Sequence, residues 1–254
     1  MSAFAVVTSL NRTLWAAYAQ TCVTALAKAL APDIPLTVWT DGPVPQGLSA
    51  LSRASVKRLE ETDDYLPFLS RAERVRPPPV SEEHRYRFEY RRFWGKVCAL
   101  AHQYMATGEG DVLVWIDADV APLGPIDAAV LEGWRAGHRM VWLDRNCPGF
   151  AHAETGFLML EKCAPVDAFV TELLETYVTG ALFDYREWHD GFIVSALMRR
   201  HGMRIDAHNL NTDMRSLHPF ETSPLKERLV HYKGDRKKWA AERRTEMPAD
   251  GGRA

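Results

Sequence analysis

Two periodicities of apolar residues alternate along the chain. Ala3–Thr8 is a short apolar run closed by Thr8-Ser9 and predicts a first strand. Trp15 to Leu30 is alanine-rich with apolar residues at helical spacing and predicts a first helix. Pro35-Leu36-Thr37-Val38-Trp39-Thr40 is a β-branched run stopped by Asp41-Gly42-Pro43, a second strand and its turn. Strand, helix and strand in that order imply parallel pairing through a right-handed crossover. Ser55–Leu59 is a third candidate strand; residues 61–80 read as irregular, with Pro77-Pro78-Pro79 marking a loop.

Arg85 to Tyr104 reads as a long helix whose buried stripe is Tyr90, Phe93, Trp94, Val97, Leu100 and Tyr104. Asp111 to Ile116 is the most apolar strand in the chain, hence a central one, and it runs into Asp117-Ala118-Asp119. Further strands are expected at Met140–Leu143, Gly156–Leu160 and Leu229–Tyr232, and helices near 166–178 and 190–200. The pattern predicts an α/β fold with one domain over residues 1–240 and a polar tail over 241–254.

Composition narrows the class. The 254 residues carry 31 Lys and Arg against 33 Asp and Glu, a net charge of −2, with 46% hydrophobic and 25% charged residues. This is ordinary globular composition. It excludes a disordered chain, a collagen-like chain and a heavily basic DNA-coating protein. No apolar run approaches the roughly 18–20 residues of a membrane span, and the first residues carry no basic segment of the kind that opens a signal peptide. Cys22, Cys98, Cys147 and Cys163 show no CxxC and no metal-ligand spacing, so free thiols in a reducing, cytoplasmic compartment are expected.

Chemistry concentrates in two places. Asp117 and Asp119 lie two apart at the carboxyl end of the apolar strand, where open α/β sheets bind ligands. Residues i and i+2 of an extended chain point the same way, so both carboxylates can face one hard divalent cation, Mn²⁺ or Mg²⁺, that shares its oxygens with phosphates. A helix cap or a solvated turn is the alternative. Far downstream, His231-Tyr232-Lys233-Gly234-Asp235-Arg236-Lys237-Lys238-Trp239 follows the last short strand. Its imidazole suits Mn²⁺, Gly234 permits close backbone approach, and Lys237 offers a mobile charge for a diphosphate. A basic surface segment with one chance histidine is the alternative.

Together these motifs carry a resemblance. The chain resembles the GT-A nucleotide-sugar glycosyltransferases, and within them the glycogenin and lipopolysaccharide galactosyltransferase group, which carry a DxD after a buried strand and a C-terminal HxxGxxKxW. Lys238 stands where that group usually has proline. The resemblance implies a mixed, mostly parallel Rossmann-like sheet flanked by helices. It implies Mn²⁺ (or Mg²⁺) held by Asp117, Asp119 and His231, with the Asp117-Ala118-Asp119 segment and Lys237 against the diphosphate of a nucleoside-diphosphate sugar, UDP-sugar foremost. Thr8 and Ser9 match the nucleoside cradle, and Asp41 would reach the base or ribose. Arg92 and Lys96, four apart on one helix face, would hold donor phosphate or sugar, or else be solvated cations. Gly95 between them, costing about 1 kcal/mol in a helix, points to close packing.

Glu154-Thr155-Gly156 stands at the family's strand entrance with Glu-Thr replacing the usual pair, and His189-Asp190 at the element that lines the sugar pocket, His189 in the place of glutamine. Asp190 would touch donor sugar or acceptor hydroxyl, or serve as a helix N-cap; Asp144 is a candidate for donor hydroxyls or a surface turn acid. The resemblance implies sugar transfer to an acceptor hydroxyl with retention. Inversion would instead need Glu154 or Asp190 as base.

The acceptor is a glycan or another hydroxyl compound. Residues 71–96 carry eight Arg and Lys against four acids, and residues 226–244 eight against three; such stripes suit a polyanionic acceptor such as a modified nucleic acid, or simply one diphosphate and solvated surface. Two rival readings remain: a haloacid-dehalogenase-type phosphatase with Asp117 as nucleophile, and a nucleotide-sugar-binding module without turnover. Oligomeric state is not encoded in any pattern here.

Overall fold

The computed structural model describes residues 2–145, 152–213 and 218–232. Its strands are β1 (Phe4–Asn11), β2 (Leu36–Asp41), β3 (Ala54–Arg58), β4 (Val112–Ile116), β5 (Val120–Pro122), β6 (Met140–Trp142), β7 (Phe157–Glu161), β8 (Ala207–Asn209) and β9 (Leu229–His231). Its helices are α1 (Arg12–Leu14), α2 (Gln20–Ala29), α3 (Tyr65–Ala72), α4 (Tyr90–Met105), α5 (Ala128–Arg135), α6 (Ala164–Val178) and α7 (Asp190–Ile205). Seven strands form one sheet in the order β3-β2-β1-β4-β7-β6-β8. β3, β2, β1 and β4 are mutually parallel, β7 runs antiparallel to β4 and β6, and β8 is parallel to β6. β5 and β9 form a separate antiparallel pair. The sheet is mixed and mostly parallel, as the family resemblance implied.

Both faces of the sheet are covered, which is why β4 reads as an unbroken apolar run. Val112, Val114 and Ile116 pack in one layer with Val6, Val38, Val23 and Leu26. Leu113 and Trp115 pack in the other with Trp94, Val97, Phe169 and Leu173. The expected close packing at Gly95 is present: a Cβ there would meet Leu59 Cδ1 at 3.3 Å.

Several expectations need correction. The stretch 61–80 is not all irregular, because α3 forms within it. Pro67 sits in its first turn, where a missing N–H costs no helical bond, and the helix is held by buried Tyr65, Phe68 and Ala72. The long helix begins at Tyr90 rather than Arg85. Residues Glu82–Phe88 form a 3₁₀ segment, Glu89 breaks from it, and the Arg87 carbonyl accepts the Trp188 N–H at 2.8 Å instead of continuing a helix. The first helix is π-helical over Trp15–Ala19 before α2. The short elements β5, α5 and β8 were not legible in the pattern.

Cys22 and Cys98 are buried free thiols and Cys163 is a half-buried one; Cys147 lies outside the described residues. Among the described residues no helix is long and apolar enough to cross a membrane.

Candidate functional site

The site is assembled by backbone pairing at the carboxyl end of β4. Asp117 N–H donates to the Gly156 carbonyl at 3.0 Å, and Val120 N–H to the Asp117 carbonyl at 3.0 Å, closing a turn around the acidic pair. β5 starts one residue past Asp119, and its pairing with β9 sets Val120 opposite His231. Tyr232 N–H donates to the Asp119 carbonyl at 2.9 Å. The imidazole therefore meets the carboxylate: His231 Nε2 lies 3.0 Å from Asp119 Oδ1, both side chains buried. Asp117, Asp119 and His231 each bring one ligand atom within 4.8 Å of the other two.

Lys96 is the electrostatic hub. Its Nζ lies 2.8 Å from Asp117 Oδ1 and 2.9 Å from Asp190 Oδ2, and it donates to the Thr155 carbonyl at 2.6 Å and Thr155 Oγ1 at 3.1 Å. Burial works against the ammonium, but Asp117 and Asp190 outweigh it, and the net shift of its pKa is upward. Burial pushes the Asp117 carboxyl up, with Asp119 adding to the push and Lys96 opposing it. Burial also acts to raise Asp190, yet Lys96 and the Thr155 hydroxyl hold it below the usual carboxylate range. Trp115 Nε1–H donates to Asp117 Oδ1 at 2.7 Å and fixes its orientation. Lys96 is thus not a solvated helix cation. Arg92, on the same helix, is exposed, with its nearest acid Glu89 at 3.8 Å.

Asp190 is not the N-cap of α7. That position is His189, whose Nδ1 accepts the Phe192 N–H at 3.3 Å, while Asp190 Oδ1 accepts the Gly191 N–H at 2.9 Å. With Nδ1 accepting, the His189 proton sits on Nε2 and faces Glu187 Oε2 at 3.1 Å. Burial lowers the pKa of His189, with Asp190 and Glu187 only partly countering it. His152, Glu187 and His189 also cluster. That hydrogen bonding leaves His189 no lone pair for a cation, and Arg87 and Arg186 each lie 3.4 Å from Glu187.

Glu154 is buried beside the acidic pair. Arg145 Nη2 lies 2.6 Å and His218 Nε2 3.3 Å from its Oε2, and its Oε1 accepts the Gly156 N–H at 3.2 Å. Two glycines make these approaches possible. A Cβ on Gly156 would stand 3.0 Å from His231 Cε1, and one on Gly191 only 2.5 Å from the Ala153 carbonyl.

These groups line one cavity of about 610 Å³. Of the residues read from sequence, Ser9, Arg92, Lys96, Asp117, Ala118, Asp119, Glu154, His189, Asp190 and His231 line it. Thr8, Asp41 and Asp144 do not. Thr8 is fully buried, with no hydrogen-bond partner for its hydroxyl among the described residues. Burial raises the Asp41 carboxyl while a hydrogen bond from Tyr65 opposes it. Asp144 is tied through its backbone to the side chains of Asn209 and Asn211 at 2.9 and 2.6 Å. Gly234 and Lys237 lie outside the described residues, as do Lys238 and Trp239 of the same motif.

The sequence reading missed Tyr18, Tyr86, Phe93 as a lining residue, Arg145 and His152. Only Tyr18 had a structural signal, since it sits in the π-helical segment, a feature common at functional sites. Burial, with the Asp119 charge, raises its phenol.

The donor set fits a divalent cation. Two carboxylates and one imidazole suit Mn²⁺ better than the all-oxygen preference of Mg²⁺, and it is Nε2 of His231 that faces the acidic pair, 3.0 Å from Asp119 Oδ1. Glu154, His218 and His231 also cluster, but the Arg145 cation already occupies Glu154. The basic stretch 71–96 does not form an unanswered stripe: Arg85, Arg87, Arg91 and Arg92 face Glu82, Glu187, Glu73 and Glu89. A nucleic-acid acceptor has no support there. The phosphatase reading fails on topology, because Asp117 follows the fourth strand of the sheet and not an opening strand.

No protein-family model matches the sequence, and no curated protein is significantly similar to it. Solved structures are similar in fold. An active-site mutant of LgtC aligns over 95% of this chain and 94% of its own, at 16% identity and a TM-score of 0.54. The galactosyltransferase LgtC with donor and acceptor sugar analogues aligns over 95% and 94%, at 14% identity and 0.52. Mouse xyloside xylosyltransferase 1 aligns over 82% and 85%, at 12% identity and 0.48. The chain has the GT-A fold of the LgtC structures.

Proposed function

We propose that this protein is a metal-dependent glycosyltransferase that moves a sugar from a nucleoside-diphosphate sugar, UDP-sugar foremost, to an acceptor hydroxyl of a glycan. The observation that carries the reading is the convergence of Asp117, Asp119 and His231 at the carboxyl end of β4, inside a cavity of about 610 Å³. A bound Mn²⁺ would neutralise charge developing on the departing diphosphate. Asp117, Asp119 and His231 are the residues that would hold it, with Lys237 and Gly234 of the same C-terminal motif set against the diphosphate.

The chain's own residues divide the rest of the work. Ser9 and Tyr18 line the cavity and suit the nucleoside, Tyr18 by offering an aromatic face. The exposed Arg92, also a lining residue, suits an anionic group of the donor. His189 and Asp190 also line the cavity, where the sugar hydroxyls would find an acceptor in Asp190. Lys96 holds Asp117 and Asp190 at fixed separation from each other and keeps Asp190 ionised.

The partners of the two carboxylates support retention. Inversion needs a basic carboxylate within reach of the acceptor hydroxyl. Asp190 has a depressed pKa and is bound to Lys96 and Thr155, and Glu154 is bound to Arg145. Neither is a free base, whereas a retaining path lets the donor's leaving oxygen take the proton.

Calorimetry with UDP, with and without Mn²⁺, tests the proposal. UDP binding should require Mn²⁺ in the wild type and be lost in Asp119→Ala. Unchanged affinity in the variant refutes the metal assignment. Release of sugar from a panel of UDP-hexoses distinguishes a transferase from a binding module, which would bind without any turnover.

A further inference from the structure

We infer that Glu154 is a positioning residue for His231, accepting a hydrogen bond from Nδ1 whenever a divalent cation occupies Nε2. The inference rests on the reading of Asp117, Asp119 and His231 as cation ligands and assigns Glu154 a role other than that of base.

The argument starts from one proton. A neutral imidazole carries a single N–H. His231 Nε2 faces Asp119 Oδ1 at 3.0 Å, a distance that places the ring's proton on Nε2 whenever no cation lies between them. Nδ1 is then a bare lone pair. It is buried, it has no hydrogen-bond partner among the described residues, and Glu154 Oε1 stands off at 3.8 Å. A lone pair and a carboxylate oxygen repel, so the gap is what this tautomer demands. A cation on Nε2 needs the lone pair there, and the ring's one proton must sit on Nδ1, pointing at Glu154. An ordinary N–H···O distance of about 2.9 Å then requires a closure of only about 0.9 Å.

The surroundings are built for that closure. Gly156 leaves the space between ring and carboxylate open: a Cβ on it would meet His231 Cε1 at 3.0 Å and Glu154 Oε1 at 3.1 Å. The ring is held by Phe220 and His218, with centroids at 4.8 and 5.0 Å. Arg145 at 2.6 Å and the Gly156 N–H at 3.2 Å fix the carboxylate. A carboxylate behind a metal-bound histidine sets its tautomer and raises its basicity, and its removal weakens metal binding by about 10–100-fold. Glu154 meets that description from the side of His231 away from Asp119.

Two readouts test it. Long-range proton–nitrogen NMR of the His231 ring, assigned with a His231→Asn variant, should report the Nε2–H tautomer without metal and the Nδ1–H tautomer with Zn²⁺, a diamagnetic probe. Titration of Mn²⁺ alone, followed by electron paramagnetic resonance, should show binding weakened about 10-fold in Glu154→Gln and up to about 100-fold in Glu154→Ala. The glutamine variant keeps shape and an acceptor oxygen, so it remains informative should the alanine variant fold poorly. Equal Mn²⁺ affinity in wild type and Glu154→Gln, or an unchanged tautomer with Zn²⁺, overturns the inference. If wild type itself binds no Mn²⁺, the ligand assignment falls and takes this inference with it.

Discussion

Replacing Lys96 by methionine strikes the charge balance of the whole site. Methionine keeps most of the stem but loses Nζ, which lies 5.4 Å from the Trp115 ring centroid. What disappears is the ammonium, with its contacts to Asp117, Asp190 and Thr155 at 2.6–3.1 Å. Two buried carboxylates lose the cation they share. Removing one partner of a buried ion pair costs about 3–5 kcal/mol. In a chain of this length each kcal/mol lowers Tm by about 2–4 °C, so Tm at neutral pH should fall by about 6–20 °C.

The pH dependence supplies the sharper check. In the wild type the Asp190 carboxyl is held low, chiefly by Lys96 acting against burial. Without that cation, burial raises its pKa, and that of Asp117, above the unfolded value of about 3.9. A carboxylate raised on folding loses stability as pH climbs through its folded pKa. The variant's deficit should therefore be largest near pH 7 and shrink towards about pH 5. Adding Asp190→Asn to Lys96→Met removes one stranded charge and should restore part of the loss. Urea denaturation of the two single variants and the double variant measures the coupling. A deficit under about 1 kcal/mol, the size of an exposed pair, or one that is flat with pH, would refute the claim that Lys96 neutralises these carboxylates.

Gly191→Ala places a methyl 2.5 Å from the Ala153 carbonyl, a backbone atom that cannot rotate away. A loss of about 1–3 kcal/mol in urea denaturation is expected; an unchanged midpoint would mean that the start of α7 yields freely. His152 is lowered to about 4 by burial, with the charges of His189 and Arg145 adding to it. Its folded pKa lies below the unfolded value of about 6.5, so its contribution is intact above that pH and is lost as pH falls towards 4. His152→Gln should flatten the stability profile across that window, and identical acid limbs in variant and wild type would refute the assignment.

What the sequence made legible was chemistry near strands with strong patterns. The unbroken apolar run before Asp117 identified both β4 and the site beyond it, because a strand buried on both faces has no polar positions to confuse its reading. His231 was legible only through the spacing of its motif; nothing local shows that a three-residue strand will pair with another of three residues. Lys96 was ambiguous for a physical reason. A lysine beside an apolar stripe looks solvated until Asp117 and Asp190, from β4 and α7, are placed against it. Asp190 looked like a cap because aspartate so often is one, but the residue before it has a ring nitrogen that fills the same role. Asp41 ends β2, but β1 runs on to Asn11, three residues past the buried Thr8, and neither residue lines the cavity.

The pairing of β5 with β9 brings the His231 imidazole to the Asp119 carboxylate. Leu229 and His231 are buried while Val230 between them is half-buried, so the two outer residues share the inward face. A one-residue slip in register would turn that face outward and carry the imidazole away from Asp119. The register is held at three pairs, Val120 with His231, Ala121 with Val230 and Pro122 with Leu229. Leu229, Val120 and Leu225 anchor it in the core. The hydrophobic contacts of two very short strands thus place a nitrogen 3.0 Å from an oxygen more than 100 residues away. Packing and side-chain geometry at this site are one constraint: a variant that loosens Leu229 acts on the imidazole as directly as one that alters the carboxylate facing it.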